Sequence, residues 1–446
     1  MNATVIRFQE DNAGVVSFYL ERPLGIAGGR KLFPLTSRPQ DPEFQFGENA
    51  PKIRQAGEKL RDDLLRHSGI SLELAAWLGA ADKPYRPIHL ELESLAADNL
   101  PWEALVDGLG DFLALDQKCP VARVLAAERQ DKPNRNAVFI PPLRIACVLG
   151  AWWDNGGTLE QRNEWTSFAN ALGTADAADL KIDVRVFGCD QQLEAEVNAS
   201  SRQGVRVTWQ PIVGNAADFS AAIRSFRPNM LHIFAHGVAD EQPFVAISNV
   251  ADVDAGQSAS ILLGAKEIRQ EGDPDENIWA ISLNSCETAA ITRQARSLAA
   301  QLVRFGFPAV IGMRETVATL QARLVTEHFF KAVFKRLKDL LPGQQQSVEW
   351  ACFLQGVRMQ LAGNAINAKN TKHWLVPILY ARTDPFTITR GRDDIAVADA
   401  ARLKAELEVL RKKRDEAMQL PLSPELKIAM MAEFDQRIKQ IEVQIV

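Results

Sequence analysis

"LHIFAHGVAD", Leu231 to Asp240, is an apolar run that stops at His236-Gly237. Leu231, Ile233, Phe234 and Ala235 fall on both faces of an extended chain, which predicts a strand covered on both sides, as in a parallel sheet sandwiched by helices. A second stretch has the same form. "IWAISLNSCETAA", Ile278 to Ala290, is strand-like and then reaches Ser285-Cys286. In open parallel sheets, reacting groups gather just beyond the carboxyl ends of strands. Two buried strands that each stop at a reactive side chain therefore point to fold and site together.

The surrounding sequence keeps that rhythm. Strand candidates from residue 140 onward are "LRIACVLGA", "IDVRVFG", "VRVTWQPIV", "NMLHIFA", "IWAISLN", "PAVIGM" and "HWLVPILYA". Helical patterns such as "LEQRNEWTSFANALG", "AADFSAAIRSF" and "TLQARLVTEHFFKAVFKRL" lie between them. The expectation is an α/β sandwich, a mostly parallel central sheet flanked by helices, over residues 136–390. Residues 1–135 read as a separate N-terminal α/β half, with an amphipathic helix in "APKIRQAGEKLRDDLLRH" and a half-buried strand in "RPIHLELES". Residues 391–446 read as a helical hairpin. Leu403, Leu407 and Leu410 share a face in its first helix, as do Met430 or Met431, Phe434, Ile438, Ile441 and Ile445 in its second. That stripe either packs on its own core or docks a protein partner or a second copy of the chain, giving a homo-oligomer. Arg411 to Arg414 read as a solvated face near a helix end.

Bulk composition narrows the classes. With 46% apolar and 24% charged residues among 446, a packed core is expected and global disorder is not. A net charge of −5 gives no case for nucleic-acid or membrane binding. The start, "MNATVIRFQEDNAG", lacks the pattern of a signal peptide. The longest apolar region, "LAAQLVRFGFPAVIGM", is interrupted by Arg304 and Pro308. The five cysteines are scattered without a CxxC pair, so neither zinc nor a disulfide framework is expected, and a reducing cytoplasm is the simplest compartment. No phosphate-binding glycine motif follows the first strand of the sandwich, where Trp152 and Trp153 occupy the turn, so a nucleotide enzyme is disfavoured and no cofactor is expected.

A cysteine and a histidine at adjacent strand ends suit one chemistry. The thiolate is the nucleophile, and an imidazole can take the thiol proton and later give one to a leaving amine. Gly237 leaves room for a peptide, and its N–H and that of Cys286 are candidate oxyanion donors. A helix in "ETAAITRQARSLAAQLV" is expected to start just after Cys286 and to favour the thiolate. A single helical crossover is expected to bring the two strand ends together. Taken singly, each residue has a plainer reading: a lone strand-end cysteine as a small core residue, a lone His-Gly as a turn. Cys119, Cys147, Cys189 and Cys352 read as structural and His232 as a packed or hydrogen-bonded histidine. His67, His89 and His328 have no partner motif, and His373 reads as a surface cap.

These stretches resemble the CHAT family, a bacterial branch of the caspase-like cysteine peptidases related also to separase. "LHIFAHGVAD" is similar to its histidine motif and "IWAISLNSCETAA" to its cysteine motif. "LAAQLVRFGFPAVIGM" resembles the following helix and strand, "LPWEALVDGLGDFLALDQKCPVARV" the Pro-Trp-Glu segment, and "HWLVPILYA" the closing strand. The likeness spans roughly residues 85 to 385. It implies a caspase-like sandwich, His236 as general base, Cys286 as nucleophile and Gly237 as an oxyanion contributor. It also implies a structural role for Pro101, Trp102 and Glu103, and a degenerate caspase-like half at the N-terminus. Many members carry tetratricopeptide repeats, and none is found here.

The function expected is a regulated cysteine endopeptidase that cleaves a partner protein under a protein activator, by analogy in bacterial defence or signalling. The alternative is a non-catalytic scaffold acting through its helical tail. Asp240, Glu287 and Glu315 are candidates for an acidic substrate pocket, each with an ordinary reading as a cap or surface charge. The stretch "VADVDAGQSASILLGAKEIRQEGDPDENI" reads as a loop for substrate contact or regulation, with Gly256, Gly264, Gly272 and Pro274 permitting sharp turns.

Overall fold

The computed structural model describes residues 3–24, 29–45, 50–78, 86–115, 119–126, 136–150, 157–238, 241–257, 259–269, 277–285, 288, 290, 296–315, 319–363, 372–391, 407–418, 430–432, 434–439 and 441. The N-terminal part runs β1 (Thr4–Glu10), β2 (Val16–Arg22), β3 (Phe33–Pro34), α1 (Ala50–Leu65), α2 (Ser68–Leu78), β4 (Ile88–Leu92), α3 (Leu95–Asp98) and β5 (Val121–Leu125). The chain continues through β6 (Asn136–Phe139), β7 (Leu143–Leu149), α4 (Gly157–Leu172), α5 (Ala175–Leu180), β8 (Ile182–Gly188), α6 (Glu194–Asn198), β9 (Val205–Pro211) and α7 (Ala216–Phe226). Next come β10 (Met230–Phe234), β11 (His236–Val238), β12 (Phe244–Ile247), α8 (Val250–Asp254), β13 (Ile261–Gly264), α9 (Ala265–Arg269), β14 (Ala280–Leu283) and α10 (Leu298–Arg304). It closes with β15 (Ala309–Met313), α11 (Thr319–Lys338), β16 (Gln345–Val348), α12 (Trp350–Ala362), β17 (Pro377–Arg382) and β18 (Phe386–Arg390).

Among the described residues one twelve-stranded sheet carries the molecule, in the order β3-β2-β1-β4-β5-β17-β15-β14-β10-β7-β8-β9. From β9 to β15 all neighbours are parallel. The direction reverses between β15 and β17, and β5 pairs with β17 in parallel. The N-terminal strands thus continue the same sheet edge to edge. Helices cover both faces, and the sandwich is the mixed α/β class that the apolar strands imply.

Strand composition explains the layering. Leu231 and Ile233 of β10 point to a core with Phe219, Ile223, Leu298 and Leu302, from α7 and α10. The opposite face packs under α4, α11 and α12, with Trp165, Phe168, Phe330 and Leu354. Strands apolar on both faces bury both. A third cluster, centred on Phe8, Phe18 and Trp102, holds the N-terminal strands to α1 and α2.

In the tail, residues 407–418 and parts of 430–441 are helical. Leu407, Ile438 and Ile441 bury one another with Leu410 beside them, and Arg414 reaches Asp435 at 3.1 Å. These contacts make the two helices an antiparallel pair that covers part of its own apolar stripe. Leu403 and Ile445 lie outside the described residues. No described helix is long and apolar enough to cross a membrane.

Candidate active site

Strand order reverses between β10 and β7: the chain lays down β7, β8 and β9 outward on one side, then returns to add β10, β14 and β15 on the other. Such a switch point opens a crevice at the strands' carboxyl ends. β10 ends there. It pairs with β14 in parallel from Met230↔Ala280 to Ile233↔Leu283, each residue facing the one fifty positions later. Past the strands the two chains stay together. Asn284 N–H donates to Ile233 O at 2.9 Å, and Ala235 N–H donates to Ser285 Oγ at 3.2 Å. His236 follows Ala235 directly, and Cys286 follows Ser285 directly. His236 opens β11 with its side chain exposed, whereas Gly237 is buried in extended backbone opposite Val245. Cys286, Asp240 and Glu287 lie outside the described residues.

The link from β10 to β14 departs from the single crossover helix expected. It holds an antiparallel ribbon, β11-β12-β13, with two short helices. Among its described residues the stretch expected to be a loop contains α8, β13 and α9. Asn249 caps α8 in a reciprocal box with Asp252, and Ile261–Gly264 pairs with β12. Gly272 and Pro274 lie outside the described residues. The ribbon rests on the end of β7 because Gly150 has no side chain: a Cβ there would stand 2.5 Å from Ile247 Cγ2. Gly150 N–H donates to Phe234 O and Gly150 O accepts from Ser248 N–H, both at 2.9 Å.

The helix expected immediately after Cys286 begins later. α10 starts at Leu298, where Ser297 Oγ accepts from Ala300 N–H at 3.2 Å. Thr288 and Ala290 are not helical. The reason is Thr288, whose buried hydroxyl donates back to Ser285 O at 2.9 Å and accepts from Met313 N–H at 3.1 Å. That turn ties β14's end to β15 in place of a first helical turn, so α10's positive end is not set directly behind Cys286 in sequence.

Below the crevice sits a buried polar cluster. His232 is fully buried and stacks on Phe168 at 5.8 Å. Its Nε2 lies 2.8 Å from Glu164 Oε1, on α4. Asn284 Nδ2 reaches the same oxygen at 2.8 Å, Thr326 Oγ1 on α11 at 2.9 Å and Ala322 O at 3.0 Å. Thr326 Oγ1 donates to Glu164 Oε1 at 2.5 Å. Glu164, Asn284 and Thr326 are not among the residues that the sequence marks out. A signal existed, since Gln161, Glu164, Trp165 and Phe168 fall on one helical face and put an acid inside an apolar stripe.

Elsewhere the candidates divide. Glu315 follows β15 partly exposed, and its Oε2 is 2.5 Å from Lys372 Nζ. Glu103 is buried against Arg123, and Trp102 Nε1 donates to Ala97 O at 2.7 Å, so Pro101-Trp102-Glu103 builds the N-terminal core. Cys119, Cys147 and Cys189 are buried. Burial, with Glu164's charge added, holds the Cys147 thiol well above its ordinary value. Burial pushes Cys189 up to about 11 and Cys352 up to about 12. His67 meets Gly29 O at 2.9 Å, His89 meets Glu349 at 3.0 Å, and His373 opens a short turn before β17. Among the described residues no group of histidine, cysteine and acids could hold a metal.

A mostly parallel α/β sandwich with a histidine at the switch point is the class these features define. The chain belongs to the CHAT domain family, whose profile matches residues 54–348. A search of curated protein sequences finds no match. Among solved structures the chain is similar to the Arg specific cysteine proteinase gingipain R, at 10% identity and a TM-score of 0.39, over 76% of this chain and 68% of that one. It is also similar to separase in the Saccharomyces cerevisiae separase–securin complex, at 12% identity and a TM-score of 0.37, over 79% of this chain and 20% of that one.

Proposed function

We propose that this chain is a cysteine endopeptidase working through Cys286 and His236. The observation that carries the reading is the paired exit of two strands: Ala235 and Ser285 are hydrogen bonded, and the next residue on each chain is His236 and Cys286. Family membership supports the same reading. In the proposed reaction His236 accepts the thiol proton, and Cys286 Sγ attacks the scissile carbonyl carbon to form a C–S bond. The oxyanion is met by N–H groups of Gly237 and Cys286. The C–N bond then breaks as His236 returns the proton to the amine. Water, deprotonated by His236, releases the acyl group as a carboxylic acid and restores the thiol.

The resemblance extends the proposal to a partner protein as substrate, a protein activator, and a cytoplasmic setting in bacterial defence or signalling. Asp240, Glu287 and Glu315 remain the proposed pocket residues, with Glu315 sharing its charge with Lys372. The test is co-expression with proteins encoded by neighbouring genes. The native chain yields new cleavage fragments, and Cys286→Ala and His236→Ala each abolish them while remaining folded. Cleavage that persists in Cys286→Ala removes the assigned nucleophile.

A further inference from the structure

Three donors from three elements converge on one oxygen of Glu164: His232 Nε2 from β10, Asn284 Nδ2 beyond β14 and Thr326 Oγ1 from α11. A carboxylate oxygen accepts, so in His232 the hydrogen sits on Nε2. Asn284 Nδ2 also donates to Thr326 Oγ1, whose own hydrogen goes to Glu164. All four residues are buried. Glu164 Oε2, His232 Nδ1 and Asn284 Oδ1 have no hydrogen-bond partner among the described residues. Glu164 Oε1 is thus the atom on which the described bonds from β10, from Asn284 and from α11 meet, and Asn284 is held to α11 also through Ala322 O.

Burying a carboxylate is unfavourable unless donors surround it, and an apolar side chain of similar volume would fill the same space. What an apolar group lacks is direction. Glu164 fixes β10 and the chain beyond β14 relative to one another, from a helix that packs along α11. His232 is four residues before His236, and Asn284 is two before Cys286. We propose that Glu164 is a positioning residue for the Cys-His pair, holding the two strands in the register in which His236 and Cys286 leave the sheet together. This rests on the dyad reading. Misplacement of a reacting group by about 1 Å can lower a rate by roughly a hundredfold, so a tie close beneath both groups has leverage on the chemistry.

The test follows alkylation of Cys286 in the full chain by iodoacetamide, at neutral pH and well below the melting temperature, with the site read by peptide mass spectrometry. Thr326→Val removes the hydroxyl while keeping the side chain's shape, and it slows Cys286 alkylation by about tenfold. Thr326→Ser restores the hydroxyl and most of the rate. Glu164→Gln slows it comparably, and the double variant is no slower than the worse single one, because both cut the same tie. A merely structural role would lower the melting temperature and open Cys147 to the reagent while leaving the Cys286 rate alone. That result overturns the proposal. If Glu164→Gln does not fold, Thr326→Val and Thr326→Ser decide. His236→Ala separates the two readings. If it leaves the Cys286 rate unchanged, the dyad falls and the positioning role with it. If it slows Cys286 while Thr326→Val does not, only the positioning role falls.

Discussion

Glu103 and Arg123 face one another as a two-point ion pair, Nε to Oε1 at 3.1 Å and NH2 to Oε2 at 2.8 Å, with both side chains about 1% exposed. The pair joins the turn after Pro101 to β5, the strand that continues the sheet into β17. Arg123 also binds Asp98 Oδ1 at 2.9 Å and Leu100 O at 2.9 Å, so the guanidinium organises the whole turn.

Glu103→Gln leaves Asp98 as the guanidinium's remaining buried counter-charge, so the loss lies at the low end of that for breaking a buried pair, about 3 kcal/mol. Urea unfolding at neutral pH reads the loss. Burial alone would raise the Glu103 carboxyl, but Arg123 outweighs it and holds the group below its ordinary 4.5. A depressed carboxylate contributes its stability in full above the ordinary value and loses it as pH falls through the lower, folded-state value. The native chain therefore loses this component only in acid, below 4.5. Glu103→Gln starts lower at neutral pH and falls less steeply through that acid window. Equal slopes in the two proteins would show that the pair does not act this way.

Native-state alkylation distinguishes the thiols. With Cys189 near 11 and Cys352 near 12, about one molecule in a thousand and one in ten thousand respectively is thiolate at a pH of about 8. Cys147 sits higher than its ordinary value for the same reason, burial, reinforced by Glu164. Iodoacetamide should modify Cys286 first, the half-buried Cys352 far more slowly, and the buried Cys147 and Cys189 only on unfolding. Uniform labelling across the chain would favour the scaffold reading over the enzyme.

How much of this was legible in the sequence depends on what each residue must do. β10 and β14 could be read because strands buried on both faces are apolar throughout, and each stops at a polar residue the core cannot absorb. Their register could not be read, since parallel pairing is set by helices and strands far away in sequence. β11 and β12 escaped notice because a three- and a four-residue strand carry too little alternation to stand out. Glu164 was hidden for a different reason. On a helix an acid is ordinarily solvent-facing, and only the three donors supplied by β10, Asn284 and α11 make its burial tolerable. Thr288 overrode an expected helix start in the same way, by a hydrogen bond to another strand.

Gly150→Ala tests the seat of the ribbon that carries His236. The new methyl would lie 2.5 Å from Ile247 Cγ2, so β12 must shift or Ile247 must leave its rotamer. Overpacking of this kind costs about 1–3 kcal/mol. The expected outcome is a lower melting temperature, and an Ile247→Ala background, which lacks both Cγ atoms, recovers part of it: Gly150→Ala costs less there than in the native chain. No recovery would place the strain elsewhere.

Thr288→Val addresses the turn that replaces the expected helix start. Valine keeps the volume and deletes the hydroxyl, leaving Met313 N–H without its acceptor and Ser285 O without that donor. Thr288 is about 1% exposed, so water does not stand in, and an unsatisfied buried group costs about 1–3 kcal/mol. The Thr288 backbone carbonyl still accepts from Ala299 N–H at 3.0 Å, so α10 stays docked and the damage is confined to the end of β14. Thermal unfolding reads the stability loss. Hydrogen exchange reads its location: the Met313 amide exchanges faster in Thr288→Val while the amides of α10 keep their protection. Faster exchange throughout α10 would instead make the turn part of the helix's own support.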